Sequence, residues 1–195
     1  MKPTLHVIIC STRPGRVGPS VARWFDGFAR EHGRFDVKLV DLADFNLPVY
    51  DEPVHPAMQD YKHEHTKKWS KSVASADAYA FVMPEYNFSP TPALVNALDY
   101  VYKEWNYKPC GIVSYGGVSG GLRAAQAVKL QLTTLKMMPM FESVMVPMVA
   151  RQIDDSGKFQ SNELIDKSAT NLLDELLYWT NGLKAMRDKR DSGSN

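Results

Sequence analysis

Cysteine is scarce in this sequence, and long apolar runs are missing from it. Only Cys10 and Cys110 occur among the 195 residues, and so sparse a pair predicts reduced thiols in a cytoplasmic protein rather than a disulfide framework. The short apolar run that follows Met1 and Lys2 is interrupted too soon for a signal peptide or a membrane span. We therefore expect a cytoplasmic protein that does not enter a membrane.

An excess of charge of either sign is also missing. The 23 Lys and Arg residues face 22 Asp and Glu residues, for a formal net charge of +1. Such a balance gives no bulk attraction to nucleic acid or to an acidic membrane surface, so neither is an expected partner. A length of 195 residues with 44% hydrophobic side chains predicts one globular domain over residues 1–187, followed by a flexible charged tail over residues 188–195.

The glycine spacings of the common nucleotide-binding loops are absent as well. The apolar run 5–9 predicts a buried strand, and it passes through a turn into a helical pattern that begins at Val21. The turn has neither the glycines of a dinucleotide-binding Rossmann loop nor the ending of a P-loop. It offers hydroxyl groups, main-chain N–H groups and an arginine in Ser11, Thr12, Arg13, Val17, Gly18, Pro19 and Ser20. That combination predicts a phosphate cradle, beside which Arg16 is interpreted as solvated.

Strand and helix patterns alternate along the rest of the chain. They predict strands over residues 5–9, 35–41, 77–83, 111–114 and 140–146, and helices over residues 21–30, 57–76, 93–101, 122–137 and 162–186. Five strands that alternate with five helices predict an α/β fold, a doubly wound parallel sheet with helices on both faces. In such a sheet, the loops that leave the carboxyl ends of the strands border the ligand.

Two further loops at this predicted edge suit a flat heteroaromatic ring. The third strand is followed by Pro84, Glu85, Tyr86 and Asn87, and the fourth strand ends in Ser114, Tyr115, Gly116 and Gly117. A bend, an aromatic ring and an amide supply a wall and hydrogen-bonding groups, while the glycines allow a close approach that a side chain would block. A phosphate at the first loop and a flat ring against the other two describe flavin mononucleotide, FMN.

At these residues the sequence resembles the NADPH-dependent FMN reductase family of flavodoxin-like proteins, which includes reductases of quinones, azo compounds and chromate. The resemblance covers residues 5–146, and its most specific part is the Pro-Glu-Tyr-Asn stretch 84–87. It implies that Ser11, Arg13 and Ser20 hold the FMN phosphate, and that residues 84–87 and 114–117 border the isoalloxazine. It also implies hydride transfer from NADPH or NADH to FMN, then reduction of a small-molecule acceptor, in a homodimer or homotetramer. No residue is assigned as a general acid or base, because the cofactor carries the chemistry.

Two alternative activities remain open at this point, beside a binding module that has lost flavin. Cys10 and Arg16 have the Cys-x5-Arg spacing of a cysteine phosphatase, and Cys10 stands where the flavin family commonly has glycine. Against a phosphatase, Val17 follows the arginine where those enzymes have Ser or Thr, and no Asp-Pro pair offers a general acid. The other alternative is a flavodoxin-like electron carrier without a nicotinamide reaction, although such carriers are usually strongly acidic and this chain is not.

Three further expectations concern single features. His63-Glu64-His65 invites a metal interpretation, but residues two apart on a helix point to different sides, so no metal site is predicted there. Phe88 is interpreted as a lid or subunit-packing residue. The helix predicted after Gly117 is expected to direct the positive end of its dipole at the reduced flavin.

Overall fold

The computed structural model describes residues 1–192 and arranges them around one sheet. Its strands are β1 (Thr4–Ile9), β2 (Asp36–Asp41), β3 (Ala78–Pro84), β4 (Pro109–Tyr115) and β5 (Met138–Val146). Every neighbouring pair is parallel, and the order across the sheet is β2-β1-β3-β4-β5. The predicted five-stranded parallel sheet is therefore confirmed. Its strand order reverses between β1 and β3.

Five α-helices within residues 1–192 cover both faces of the sheet. They are α1 (Gly18–His32), α2 (Glu64–Ala74), α3 (Pro92–Asp99), α4 (Leu122–Thr134) and α5 (Glu163–Asp191). Helices α1 and α5 pack on one face, and α2, α3 and α4 pack on the other. Two cores form because alternate residues of a strand point to opposite faces. On β3, Ala80 and Val82 join the first core, while Phe81 and Met83 join the second.

Capping residues explain several helix boundaries. Helix α1 ends at Gly33, whose φ of 77° and N–H bond to the Ala29 carbonyl oxygen form a left-handed cap. Helix α3 begins after Thr91, whose hydroxyl accepts the N–H of Leu94. Asn162 caps the start of α5 in the same way. These boundaries lie close to the predicted ones because each depends on a short local signal.

The two outer helices of the first face extend beyond their predicted limits. Helix α1 begins at Gly18 rather than Val21, because Pro19 fits the first turn of a helix, where its missing N–H would have no partner. Helix α5 continues past residue 186 to Asp191, and residues 193–195 of the predicted tail lie outside the described part of the chain. Although α5 has 29 residues, no helix within residues 1–192 is long and apolar enough to cross a membrane.

Helix α2 is shorter than predicted. Its predicted first part holds only a single 3-10 turn, Pro56–Met58, which Gln59 ends with a φ of 57°. The buried carboxylate of Glu52 then accepts the main-chain N–H groups of Lys62 and His63 at 2.8 and 3.0 Å. These contacts hold the chain in an extended approach to α2. The predicted helix over residues 57–63 is therefore wrong.

Candidate functional site

Three loops meet at the carboxyl edge of the sheet. Residues 10–17 follow β1, residues 85–91 follow β3, and residues 116–121 follow β4. Because β1, β3 and β4 are neighbours in a parallel sheet, their following loops lie side by side. The reversal of strand order between β1 and β3 makes this edge the expected ligand crevice of an open α/β sheet. The predicted convergence of the three loops is confirmed.

The loop after β1 presents hydrogen-bond donors that the rest of the described chain leaves free. Within residues 1–192, no acceptor is bonded to the main-chain N–H groups of Thr12, Arg13, Arg16, Val17 and Gly18. The side chains of Thr12 and Arg13 are exposed and likewise have no bonded partner in that range. These donors lie at the amino end of α1, where the helix dipole favours an anion. The loop is therefore chemically suited to a phosphate.

The side chain of Arg16 is bonded to neighbouring residues instead of being solvated, and one of these bonds is to the loop itself. Two of its guanidinium nitrogens donate to the carboxylate of Asp41 at 2.7 and 2.6 Å, and one also donates to the carbonyl oxygen of Ser11. The solvated interpretation of Arg16 is wrong because the carboxyl end of β2 brings Asp41 beside it. Sequence reasoning missed Asp41, although its place at the end of the strand next to β1 was a usable signal.

Cys10 is a buried structural residue. Its side chain has no solvent exposure, and its thiol donates to the carbonyl oxygen of Ile8 at 3.3 Å. Burial raises the pKa of this thiol well above its ordinary value, so the thiolate that a phosphatase needs does not form near neutral pH. With Arg16 held by Asp41 as well, the phosphatase alternative lacks both of its groups.

A hydroxyl pair lies under the start of α1. Ser11 Oγ and the hydroxyl oxygen of Tyr115 are 3.2 Å apart, and both side chains are buried. Desolvation raises the pKa of Tyr115, which keeps the phenol neutral. A Cβ atom on Gly18 would lie 2.6 Å from each hydroxyl oxygen, so a larger residue there would displace both side chains. The hydroxyl of Tyr115 thus contacts the loop after β1, while the assignment of Tyr115 to the ring edge stays a prediction.

Thr91 joins the loop after β1 to the loop after β3. Its hydroxyl donates to the carbonyl oxygen of Cys10 and accepts the N–H of Leu94, which caps α3. The side chain is buried. The cap was legible in the sequence as Thr before Pro92, but the bond to Cys10, 81 residues earlier, was not. Thr91 therefore fixes the spacing between two walls of the crevice.

Glu85 serves the amino terminus of α4. Its carboxylate accepts the main-chain N–H groups of Arg123 and Ala124 at 3.1 and 3.4 Å, and the Arg123 guanidinium approaches it at 2.7 Å. Desolvation alone would raise the pKa of Glu85, but these donors hold it below its ordinary value. Glu85 thus occupies donors of the first turn of α4, and the expectation that this helix directs its dipole at the reduced flavin stays a prediction.

The turn after Glu85 presents Asn87 to solvent. Tyr86 and Ser89 exchange two main-chain hydrogen bonds of 3.0 and 2.9 Å, and the residues between them have φ values of 50° and 69°. Both side chains at the tip are exposed, and the guanidinium of Arg123 lies 3.8 Å from the ring centroid of Phe88. Pro84 is the buried last residue of β3. The tip therefore combines a rigid backbone with an amide that the described residues leave free.

The glycines after β4 divide into two kinds. Gly120 and Gly121 have positive φ values, and a Cβ on Gly121 would lie 2.9 Å from that of Ser114, so both serve the strand-to-helix turn. Ser114 belongs to the same turn, because its hydroxyl donates to the Gly120 carbonyl oxygen at 2.8 Å. Gly117 has open space where a Cβ would lie, and Gly116 is only partly buried. Open space at Gly117 is suited to the face or edge of a flat ring, whereas a Cβ on Gly116 would lie 3.3 Å from the Gly121 nitrogen, and the N–H and carbonyl groups of Gly116 are already bonded.

A segment after β5 forms a rim between the two ends of the crevice. At one end, Met148 donates its N–H to the Gly117 carbonyl oxygen at 2.8 Å. At the other end, Gly157 accepts the hydroxyl of Ser20 at 2.6 Å. Ser20 was predicted to bind phosphate, and its hydroxyl instead ties this rim to α1. Sequence reasoning did not assign residues 147–160 to the site.

The histidine motif adopts an unexpected arrangement. His63 and His65 stack with ring centroids 5.1 Å apart, and His65 Nε2 lies 3.0 Å from Asp51 Oδ1. The prediction that the two rings point to different sides is wrong, because His63 precedes α2 and has an extended backbone. Among residues 1–192, no group of three or more His, Cys, Asp or Glu side chains is arranged to hold a metal ion.

Sequence comparisons give consistent results for this chain. Residues 3–151 match the model of the family described as NADPH-dependent FMN reductase. The chain is 44% identical over 126 residues to an NAD(P)H-dependent FMN reductase of Schizosaccharomyces pombe, an alignment covering 64% of this chain and 63% of that protein, just under two thirds of its length. It is 40% identical over 152 residues to an NAD(P)H-dependent FMN reductase of a Nectria species, covering 75% and 76% of the two chains.

More distant relatives extend the comparison. A quinone reductase of Pseudomonas putida is 32% identical over 163 residues, covering 80% of this chain and 83% of that protein. Among solved structures, a flavoenzyme NAD(P)H:(acceptor) oxidoreductase from Paracoccus denitrificans superposes with a TM-score of 0.73 at 21% identity, covering 92% of this chain and 98% of that chain. At that identity the structural likeness supports the flavodoxin-like fold alone.

Proposed function

Because the chain belongs to the NADPH-dependent FMN reductase family, we propose that it is an FMN-dependent NAD(P)H oxidoreductase. When bound, FMN supplies the redox chemistry, accepting a hydride from a nicotinamide and passing electrons to an acceptor. The observation that carries this proposal is the set of free donors at the amino end of α1, next to an open glycine turn on the same sheet edge. An anion cradle and a flat-ring wall side by side fit a flavin mononucleotide.

The phosphate end of the proposed site consists of main-chain donors and one arginine. Thr12 and Arg13 offer a hydroxyl and a guanidinium that the described chain does not engage. Gly18 lets the start of α1 lie against Ser11, whose place is fixed by Tyr115. Charge-assisted hydrogen bonds to a dianion are about twice as strong as neutral ones. We assign anchoring of FMN to this loop, with Val17, Pro19 and Ser20 shaping the first turn of the helix.

The ring end orients the isoalloxazine through main chain and one amide. Pro84 and Glu85 set the direction of the turn, whose tip offers Asn87 and whose wall includes Tyr86. Gly117 leaves room for a planar group on the opposite side, because a Cβ there would meet nothing within 4 Å. The described residues contribute position and hydrogen bonds here, and they assign no proton to a particular side chain.

The acceptor class comes from the relatives. One relative is named a quinone reductase, and another, from Bacillus sp., is named an NADPH azoreductase with 33% identity over 101 residues. We propose that this protein reduces a small molecule such as a quinone, free flavin, an azo compound or a metal oxyanion. An open ring subsite supports a flat, electron-poor acceptor that stacks where the nicotinamide has left.

The test is an absorbance spectrum of the purified full-length chain reconstituted with FMN and mixed anaerobically with NADPH. We expect flavin bands that bleach after mixing and return when a quinone is added. Bound flavin that stays oxidised with both NADPH and NADH would indicate an electron carrier. Failure to bind FMN would contradict the proposal altogether.

We further propose a homodimer or homotetramer located in the cytoplasm. Exposed apolar side chains cluster at the loops of the ring end, with Phe88 61% and Val118 88% exposed. A groove of about 900 Å³ beside Thr12 is lined by Tyr50, Val95 and further residues of the 42–50 segment and α3. Such surfaces are typical of subunit contacts. Light scattering at micromolar concentration tests this part, and a monomer would contradict it.

A further inference from the structure

A second cavity lies beside the proposed FMN phosphate loop. It has a volume of about 370 Å³ and lies between the first two turns of α1 and the turn of the rim segment, lined by Ser20, Arg23, Trp24, Ser156, Gly157 and Lys158. Neither the loops of the proposed flavin site nor its ring wall includes Arg23, Trp24 or Lys158. The cavity therefore adjoins the flavin site without being part of it.

Two unpaired cations face this cavity. Within residues 1–192, the guanidinium of Arg23 and the ammonium of Lys158 make no hydrogen bond or ion pair with another side chain. The same turn carries two acidic side chains: Asp154 is occupied by the main-chain N–H groups of Ser156 and Lys158 and by the amide of Gln160, and Asp155 is exposed and does not line the cavity. The two cations are therefore available to an anion, which a guanidinium and an ammonium bind by charge-assisted hydrogen bonds.

An aromatic side chain, Trp24, lines the same cavity as these cations. Trp24 packs against Phe28 and against Phe159 with ring centroids 5.8 and 5.1 Å apart, so its ring is held in place from behind. The indole is only partly buried, and its N–H has no partner among the described residues. A fixed, partly exposed indole offers a stacking surface for a planar base. The cavity thus combines the groups that recognise a base and a phosphate.

The rim connects this cavity to the ring end of the flavin site. Met148 is bonded to Gly117 at one end, and Gly157 is bonded to Ser20 at the other. A dinucleotide with its nicotinamide at the ring end would have to extend along this rim to place its adenosine half in the cavity. Both ends of the molecule would lie on a wall made by one continuous segment.

We infer that the cavity between α1 and the 154–158 turn binds the adenosine 2′-phosphate of NADPH, with Arg23 and Lys158 contacting the phosphate and Trp24 contacting the adenine. This inference rests on the proposed oxidoreductase function and adds a specificity: the protein prefers NADPH to NADH. The AMP half of FAD shares the base and a phosphate but lacks the 2′-phosphate, so the two sources can be separated experimentally.

The first experiment is calorimetric titration of the FMN-loaded protein with adenosine 2′,5′-bisphosphate. The variant is Arg23→Gln with Lys158→Gln, and the control is Arg34→Gln with Lys167→Gln, which removes the same charge at two exposed positions outside the cavity. We expect the dissociation constant to rise by about tenfold or more in the variant, because two charged contacts are lost, and to stay within about twofold in the control. Adenosine 5′-monophosphate should bind weakly and equally to all three proteins.

Equal binding of the bisphosphate to the variant and the wild type would overturn the inference. So would an equal loss of affinity for the 5′-monophosphate, since the cavity would then recognise the half that FAD and NADH also contain. Adenosine 2′,5′-bisphosphate binding requires no turnover, so this arm remains decisive even if the protein proves to be an electron carrier.

The second experiment is steady-state kinetics of the same proteins with each nicotinamide. The KM for NADPH should rise about tenfold in the double variant, while the KM for NADH and both kcat values stay unchanged. An equal rise for both nicotinamides would contradict recognition of the 2′-phosphate. Absence of any turnover with either nicotinamide would contradict the proposed function, and the calorimetric result would then stand by itself.

Discussion

At the carboxyl edge of the sheet, polar groups stand without partners, whereas at the amino edge a buried cation has all its donors engaged. The free donors are the main-chain N–H groups at the start of α1, with Arg13 beside them. At the opposite edge, Lys108 is 8% exposed and donates to the carbonyl oxygens of Val73 and Ala74 and to the hydroxyl of Tyr79 at 3.1 to 3.2 Å.

This difference indicates which edge of the sheet contributes to ligand binding and which contributes to stability. A donor that the fold leaves free at a helix terminus retains its hydrogen-bonding capacity for a ligand. A donor that is fully paired inside the protein fixes neighbouring elements, here the end of α2 and the start of β4, and has nothing left to offer. Substitutions at the carboxyl edge should therefore change flavin affinity, and substitutions at the amino edge should change stability.

The largest effect on affinity is expected from Gly18→Ala. The added Cβ would lie 2.6 Å from the hydroxyl oxygens of Ser11 and Tyr115, so it must displace this hydroxyl pair, which contacts the loop that we assign to the phosphate. We expect the dissociation constant for FMN to rise about 100-fold, equivalent to about 2.8 kcal/mol. Fluorescence titration of FMN measures it.

Gly27→Ala is the matched control for that change. A Cβ on Gly27, also in α1, meets nothing within 4 Å, so this variant should bind FMN normally and gain about 0.5 to 1 kcal/mol of stability. Normal FMN affinity in Gly18→Ala would refute the role assigned to the close approach at Gly18.

Arg13→Gln should have the next largest effect. It removes one charged donor from the phosphate, and such a bond contributes about 1.5 to 3 kcal/mol, so the dissociation constant should rise about tenfold or more. Arg34→Gln, at an exposed position on another part of the surface, should leave it unchanged. The assignment of Arg13 fails if the two variants bind FMN equally well in the same titration.

Thr91→Val should lower both the affinity for flavin and the stability of the protein. The valine cannot cap α3 or hold the Cys10 carbonyl oxygen, so we expect a stability loss of about 1 to 2 kcal/mol together with a several-fold weaker affinity for FMN. Asn162→Ala removes the comparable cap of α5 and should lose about 1 kcal/mol without changing FMN affinity. Urea unfolding and FMN titration measure both quantities, and unchanged FMN affinity in Thr91→Val would disprove the link between the loops.

Lys108→Met should leave FMN affinity unchanged and alter the pH dependence of stability. Burial, then the nearby Arg187, lower the pKa of Lys108 to about 8 from 10.5. Between these values the unfolded chain binds more protons than the folded chain, so the free energy of unfolding contributed by this group rises with pH. Relative to Lys108→Met, the wild type should gain on the order of 2 kcal/mol between pH 7.5 and pH 10.

Urea unfolding of both proteins at the two pH values measures this difference. The cysteines and tyrosines titrate in both proteins. Their contributions to the pH dependence therefore cancel when the two free energies of unfolding are compared. Parallel pH profiles of the two proteins would show that Lys108 is not held in an unfavourable charged state. A change in FMN affinity in Lys108→Met would contradict the assignment of the amino edge to stability alone.

Features that repeat over short distances were predicted well. The parallel sheet follows from apolar strands that alternate with periodic helices, and the meeting of the three loops at one edge follows from the parallel sheet. The helix caps at Gly33 and Asn162 are local as well. Helix α2 was overextended because its true start depends on Glu52, a capping carboxylate that lies 12 residues before Glu64 in the sequence.

The sequence by itself determined the fold class, the edge that carries the site and the family resemblance, because each depends on neighbouring residues in a strand, a loop or a helix. Only the tertiary structure decided which side chains are free and which are paired. Arg16 meets Asp41 25 residues away, Glu85 meets Arg123 38 residues away and Ser11 meets Tyr115 104 residues away. The packing of separate strands and helices places these partners together, and no local pattern in the chain records such contacts.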